Sequence, residues 1–242
     1  LKRVGAPEAL VQKLPHPINK TDTETLMREV DLVVATGSQN NIRAAYSSGT
    51  PAVGVGAGNV SVIVDETADC AEAAAQIVAS KTFDNATSCS SENSVVVLDQ
   101  VYDVLIAALE SQGVKMLTAN EQESLRQLMW TDGKLNPAVI AQPAGQIAKM
   151  AGIHCEADTG IKVLLVQESK TGSAHPFSGE KLCPVLTLYR AGDFDAALAQ
   201  VARIYDYQGA GHSVGIHTRD EKRAMRIALE LPTCRVIVNQ AH

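Results

Sequence analysis

No Cys-x-x-Cys pair occurs in the 242 residues, and the five cysteines, at 70, 89, 155, 183 and 234, are odd in number. That pattern argues against a zinc site or a disulfide framework and fits a reducing cytoplasm. No apolar run approaches a membrane span, and residues 1–10 contain no signal-peptide core. Basic residues are in deficit: 21 Lys and Arg against 27 Asp and Glu give a formal net charge of −6. Nucleic acid or an anionic membrane is therefore not the expected main partner. Internal repeats and low-complexity segments are absent. A nucleotide-binding glycine fingerprint is absent too. The glycine-rich run 51–59 alternates its glycines at 54, 56 and 58, and strand-like 61–65 follows where either fingerprint needs a helix. Alternation of this kind predicts close backbone approach, where a side chain would block a ligand or another segment.

What the chain does have is apolar material, 45% hydrophobic against 20% charged, enough for one large or two modest domains with real cores. Short strand-like runs (31–36, 61–65, 95–98, 161–166, 185–189, one that the run 209–218 leads into, 235–239) alternate with helical patterns (21–30, 39–48, 67–81, 101–112, 120–130, a helix before 151, 193–205, 219–229). Such alternation implies a three-layer α/β architecture with parallel strands. Thr36-Gly37-Ser38 joins a strand to a helix whose first N–H groups Ser38 can cap. Free N–H groups and the helix dipole make that junction a ready anion site, although ordinary strand-to-helix turns look the same.

The most informative stretch is Thr82-Phe83-Asp84-Asn85-Ala86-Thr87-Ser88-Cys89-Ser90-Ser91-Glu92, between a helix and a strand. Core cysteines sit among Val, Leu and Ile, whereas small polar neighbours leave room for a substrate to reach this sulfur. Nearby hydroxyls and N–H groups can stabilise a thiolate or an oxyanion. The spacing alone fits equally a cysteine that happens to fall in a loop. Asn85 suits a local turn, and Glu92 and Asn93 suit polar residues at a strand entrance. Cys70 and Cys183 read as packing residues. His154, Cys155 and Glu156 read as structural, since adjacent residues cannot all face one metal, and no metal site is expected.

The Thr-Phe-Asp-Asn…Cys-x-Ser-Glu pattern resembles the catalytic-cysteine segment of the aldehyde dehydrogenase superfamily, in its coenzyme-A-acylating branch. The polar version at 85–93 is similar to the sulfoacetaldehyde dehydrogenases of that branch. The resemblance implies an aldehyde dehydrogenase-like α/β/α fold. Residues 1–58 would end a Rossmann-like NAD(P)-binding domain, and 59–242 would form a catalytic domain with Cys89 at the seam, cut short at its C-terminus. It implies Cys89 as nucleophile, Thr36, Gly37 and Ser38 beside the nicotinamide cofactor, and Glu180, in a Glu-x-x-x-Pro element, on the cofactor ribose. A Gly-His pair in the branch matches Gly211-His212 and makes His212 a candidate base for the thiol of coenzyme A. His217 reads as a strand residue.

One departure from the family bears on the chemistry. Hydrolytic members resemble 54–58 with Glu-Leu-Gly-Gly-Lys, whose glutamate activates water; Gly54 stands at that position here. Without a base water is a poor nucleophile, whereas a thiol is intrinsically good, so the resemblance implies CoA as acyl acceptor. A shift of the match by a few positions would bring in Asp65 or Glu66 instead. The implied reaction takes an aldehyde, CoA and NAD or NADP to an acyl-CoA, with a small polar aldehyde such as sulfoacetaldehyde as substrate. Thr87, Ser88 and Ser90 are the candidates to meet the sulfonate. Hydrolytic activity, a superfamily reductase releasing phosphorylated products, and an inactive truncated domain are the alternatives. The full-length enzyme is expected to be a cytoplasmic homo-oligomer. The sequence opens at Leu1 and ends just past a strand, so it reads as the central part of such an enzyme.

Overall fold

A computed structural model describes residues 2–56, 58–154 and 160–242. Cys155 and Glu156 lie outside the described residues. Backbone contacts divide the chain into two compact units, Leu1–Gly56 and Ala57–His242.

The first unit contains α1 (Lys20–Glu29), β1 (Val33–Thr36), α2 (Gln39–Tyr46) and β2 (Ala52–Val55). The strand β2 was not visible in the sequence, because its Gly54 breaks an already short apolar run. It pairs parallel with β1, Val33 opposite Ala52. Asn19 and Asp22 close a capping box on α1, and Ser38 caps α2 by accepting from the Asn41 N–H at 3.3 Å. Val33, Ala35, Ile42 and Ala45 make a small core. The expected close approaches are present. A Cβ on Gly54 would lie 2.8 Å from Ile42, and one on Gly56 would lie 2.5 Å from Gln39.

The second unit runs β3 (Val60–Val64), α3 (Cys70–Thr82), β4 (Glu92–Leu98), α4 (Tyr102–Ser111), β5 (Val114–Met116), α5 (Ala119–Met129), β6 (Trp130–Thr131), β7 (Lys134–Leu135), α6 (Ala144–Met150), β8 (Val163–Gln167), β9 (Val185–Ala191), α7 (Phe194–Tyr207), β10 (Ser213–His217), α8 (Glu221–Glu230) and β11 (Arg235–Val238). Seven strands form one parallel sheet in the order β11-β10-β3-β4-β9-β8-β5, and β6 and β7 form a separate hairpin.

Strand period 2 distributes the core over both faces. Val62, Val64, Val95, Val97, Leu186 and Leu188 pack against α3 and α4 through Ala73, Ala74, Ile77, Val78, Leu105 and Leu109. Ile63, Val96, Leu98, Tyr189, Val214 and Ile216 pack against α7 and α8. Leu164, Val166 and Val185 meet α5 and α6, and Cys183 lies in this cluster. Cys70 and Cys183 are buried as expected. Helix α3 starts where Asp69 accepts from the N–H groups of Ala71 and Glu72, both at 3.1 Å, three residues later than the apolar pattern implied. Its small, alanine-rich inner face allows close approach to the sheet. Full burial of a side chain such as Ile77 (0% exposed) contributes about 1.5–3 kcal/mol.

At the carboxyl edge of the sheet Asp65 is fully used. It accepts from Thr67 Oγ1 at 2.7 Å and Thr218 Oγ1 at 2.5 Å, and Arg223 pairs with it at 2.7 Å. His217 ends β10, buried, and that burial pushes its imidazole down to about 4. It is neutral packing, as its strand position implied. Among the described residues no helix is long and apolar enough to cross a membrane.

Candidate active site

Four segments carrying predicted site residues or their neighbours enter adjacent parallel strands at the amino edge of the sheet. Gly58-Asn59 leads into β3, Cys89 into β4, Glu180-Lys181 into β9 and His212 into β10, and these strands lie side by side as β10-β3-β4-β9.

The Cys89 connection leaves α3 through a short 3-10 turn, Phe83–Ala86, in which three consecutive residues are left-handed: Asp84 (φ 49°), Asn85 (φ 49°) and Ala86 (φ 62°). Asp and Asn tolerate that region because their short side chains bond locally, whereas alanine is strained there. Asn85 Nδ2 donates to the Ala141 carbonyl at 3.0 Å, and Thr87 Oγ1 donates to the Asp84 carbonyl at 2.8 Å. Asn85 thus has the turn role its position suggested. Ser88 and Ser90 hydroxyls bond each other at 2.9 Å across Cys89. Cys89 itself is exposed, and among the described residues its backbone N–H makes no hydrogen bond.

The Cys89 backbone sits on Gly58. A Cβ at Gly58 would come within 2.0 Å of the Cys89 carbonyl oxygen, so no side chain fits there. The Gly58 N–H donates to Glu180 Oε1 at 3.1 Å. Burial pushes the Glu180 carboxyl up to about 7, although the Gly58 bond and the Lys81 and Lys181 ammonium groups favour the charged form. Its second oxygen accepts no hydrogen bond among the described residues.

Asn59 was not singled out in the sequence, yet it ties the edge together. Its Nδ2 donates to the Ser178 carbonyl at 2.8 Å and to the Gln208 carbonyl at 3.1 Å. Gln208 Oε1 in turn accepts from the Glu180 N–H at 3.1 Å. Gly209 (φ +103°) packs so closely that a Cβ on it would be 2.5 Å from the Asn59 Cβ. Three residues on is His212, half-buried, with Nδ1 3.0 Å from Ser213 Oγ. Burial, then the Arg235 guanidinium and the His242 ring, lower its pKa, which favours the neutral imidazole. No hydrogen bond among the described residues joins it to Cys89.

Asn93, expected as an entrance residue of β4, accepts from the Lys181 N–H at 3.1 Å and so locks β4 to the Glu180 segment. The Lys181 ammonium is buried against the carbonyls of Phe177 (2.7 Å) and Gly179 (2.9 Å). The first unit carries Thr36 at the end of β1, Gly37 in the left-handed region (φ +112°) and Ser38 on the amino terminus of α2.

Comparison with known proteins agrees with this architecture. Residues 1–242 match the model of the aldehyde dehydrogenase family. The chain is 55% identical over 240 residues to a sulfoacetaldehyde dehydrogenase (acylating) from Cupriavidus necator, covering 99% of this chain and 49% of that protein. An acetylating aldehyde dehydrogenase from Geobacillus thermoglucosidasius superposes with a TM-score of 0.93 at 36% identity, over 99% of this chain and 53% of that one. A propionaldehyde dehydrogenase from Rhodopseudomonas palustris, solved with bound CoA and an acylated cysteine, superposes with a TM-score of 0.87 at 28% identity, over 99% and 54% of the two chains. The chain spans about half the length of the curated relatives it matches.

Proposed function

The chain belongs to the aldehyde dehydrogenase family, and on that premise we propose that the protein converts an aldehyde, CoA and NAD(P)+ to an acyl-CoA and NAD(P)H through a thioester on Cys89. The observation that carries the reading is the setting of Cys89: exposed, small-walled, seated on Gly58, with an uncommitted backbone N–H. The thiolate attacks the aldehyde carbon, and the Cys89 N–H is available for the oxyanion that develops. The bound nicotinamide supplies the hydride acceptor. The Glu180 carboxylate, with one oxygen on Gly58 and the other free, suits a ribose diol. The Ser38-capped start of α2 suits the cofactor's negative charge. In this reading residues 1–58 end the cofactor domain and 59–242 are catalytic, while the compact units divide two residues earlier, after Gly56.

A thioester on Cys89 needs a nucleophile for release. Gly54 offers no carboxylate to ready a water molecule, which favours the thiol of CoA. His212, whose lowered pKa favours the neutral imidazole, is the candidate to take that thiol's proton. The identity to the Cupriavidus necator protein favours sulfoacetaldehyde as substrate, with Ser88 and Ser90, on either side of Cys89 in sequence and bonded to each other, as candidates to meet the sulfonate. Thr87 is committed to Asp84 and is the weaker candidate for the sulfonate. The assay is appearance of reduced nicotinamide from the intact protein with and without CoA, with the product identified. Acyl-CoA supports the proposal; free acid formed at the same rate without CoA refutes it.

A further inference from the structure

Both ends of the connection that carries Cys89 bear a buried charge. Lys81, in the last turn of α3, is 0% exposed, and Glu92, the first residue of β4, is also 0% exposed. Neither is satisfied by the protein. Lys81 Nζ and Glu92 Oε2 both lack a hydrogen-bond partner, as does His242 Nε2. A buried ammonium without an anion, or a carboxylate oxygen without a donor, is unfavourable, and one arrangement accounts for all three atoms.

The sheet register brings them to one face. Between Val60 and Ser61 the β3–β4 pairing slips by one residue, so that Glu92 lies opposite Val60 while Ser94 lies opposite Ser61. The extra residue returns Glu92 to the side of the sheet on which α3 packs. His242 marks the same side. Its Nδ1 is 3.1 Å from Glu92 Oε1, its ring lies against Gly215 near Val62, and its carbonyl accepts from Ser80 of α3 at 3.5 Å.

Three acidic groups lie in electrostatic reach of Lys81, namely Cys183, Glu92 and Glu180. The Cys183 thiol is pushed up to about 11 by burial and is uncharged at neutral pH. Glu180 already holds the Gly58 N–H. Glu92 is left, with a bare oxygen. Lys81 and Glu92 form no direct bridge within 4.0 Å. The link between them that the structure shows runs through His242, which bonds Glu92 at 3.1 Å and accepts from Ser80, the neighbour of Lys81, at 3.5 Å.

We propose that Lys81 and Glu92 are positioning residues, a coupled pair of buried opposite charges that clasps the two ends of the 83–91 connection and fixes Cys89 on its Gly58 seat. The proposal rests on the reading of Cys89 as the nucleophile, but its test does not require turnover. The intact protein is made as Lys81→Met, Glu92→Gln and the double variant. Each is followed by thermal unfolding and by the rate at which iodoacetamide alkylates Cys89, located by peptide mass. Each single variant leaves one charge buried alone and unfolds several degrees lower. The double variant removes both charges and recovers at least half of the summed loss. All three alkylate Cys89 at rates shifted by roughly three- to tenfold, the scale of coupling between contacting residues. Lys81→Arg, which keeps the charge, stays within about twofold of the parent rate if the clasp is electrostatic. Simple addition of the two single-variant losses, or parent-like alkylation in the double variant, overturns the proposal. Should a single variant fail to fold, the double variant and Lys81→Arg still decide. Failure of Cys89 to form a thioester would defeat the functional reading instead, without touching the coupling.

Discussion

At the scale of single residues, the site depends most on a side chain that is missing. Gly58 is required because the Cys89 carbonyl occupies the space of a Cβ, 2.0 Å away. Gly58→Ala must push the nucleophile's backbone aside, and a displacement near 1 Å costs on the order of 10²-fold in rate. The expected outcome is a loss of that order in kcat/KM with a folded protein by circular dichroism; parent-like kinetics would contradict the packing. Glu180 gives a pH prediction. Its folded-state carboxyl, at about 7, lies above the ordinary value of 4.5. The group thus binds its proton more tightly in the folded protein. The stability it contributes is fully present below about 4.5 and is lost as pH rises through about 7. For binding the sense is reversed, because the charged form accepts the ribose hydroxyls. KM for NAD(P)+ should therefore rise as pH falls through about 7, and Glu180→Gln should raise KM at pH 8 and flatten that dependence. A parent-like profile in the variant would remove Glu180 from the cofactor site.

At the scale of elements, the left-handed turn 84–86 aims the Cys89 connection. Ala86 has φ 62° and is 2% exposed. A left-handed alanine costs roughly 1–2 kcal/mol, partly offset by the extra chain entropy a glycine would bring. Ala86→Gly should hold or raise stability by up to about 1 kcal/mol, whereas Asn85→Ala loses both its left-handed tolerance and the bond to Ala141 and should lower it by about 1–2 kcal/mol. Chemical denaturation of the two variants checks the contrast, and equal losses would count against it.

The long, strongly periodic elements were legible in the sequence. The runs at 67–81 and 193–205 became α3 and α7 with their apolar faces on the sheet. Strand β5 and the β6–β7 hairpin were not, because two or three residues are too few to display a period, and Gly54 hid β2. In the candidate site, the exposure of Cys89 was legible from its small polar neighbours, its proposed role only through the family resemblance, and the close packing at Gly58 from the alternating glycines. Asn59, Gln208 and Lys81 were not. Their importance lies in partners 119 to 149 residues away or in complete burial, and neither leaves a local pattern. Lys81 in particular reads in sequence as an ordinary basic end to an amphipathic helix.

At the scale of the whole molecule, ligands of open α/β sheets usually lie at the carboxyl ends of the strands. Here the carboxyl edge holds Asp65, Thr67, Thr218 and Arg223 in mutual bonds, while the Cys89, Glu180 and His212 segments all enter at the amino edge. Neighbouring parallel strands admit that arrangement because β10, β3, β4 and β9 start at one level, so four loops distant in sequence deliver their residues to one edge. The central claim is that Cys89 carries the acyl group and CoA removes it. The direct measurement is the mass of the Cys89 peptide after the intact protein meets aldehyde and NAD(P)+ alone, and again after CoA is added. An acyl increment on Cys89 that persists in water and leaves as acyl-CoA is the predicted result; no increment, an increment on another cysteine, or loss to water as fast as to CoA would contradict it.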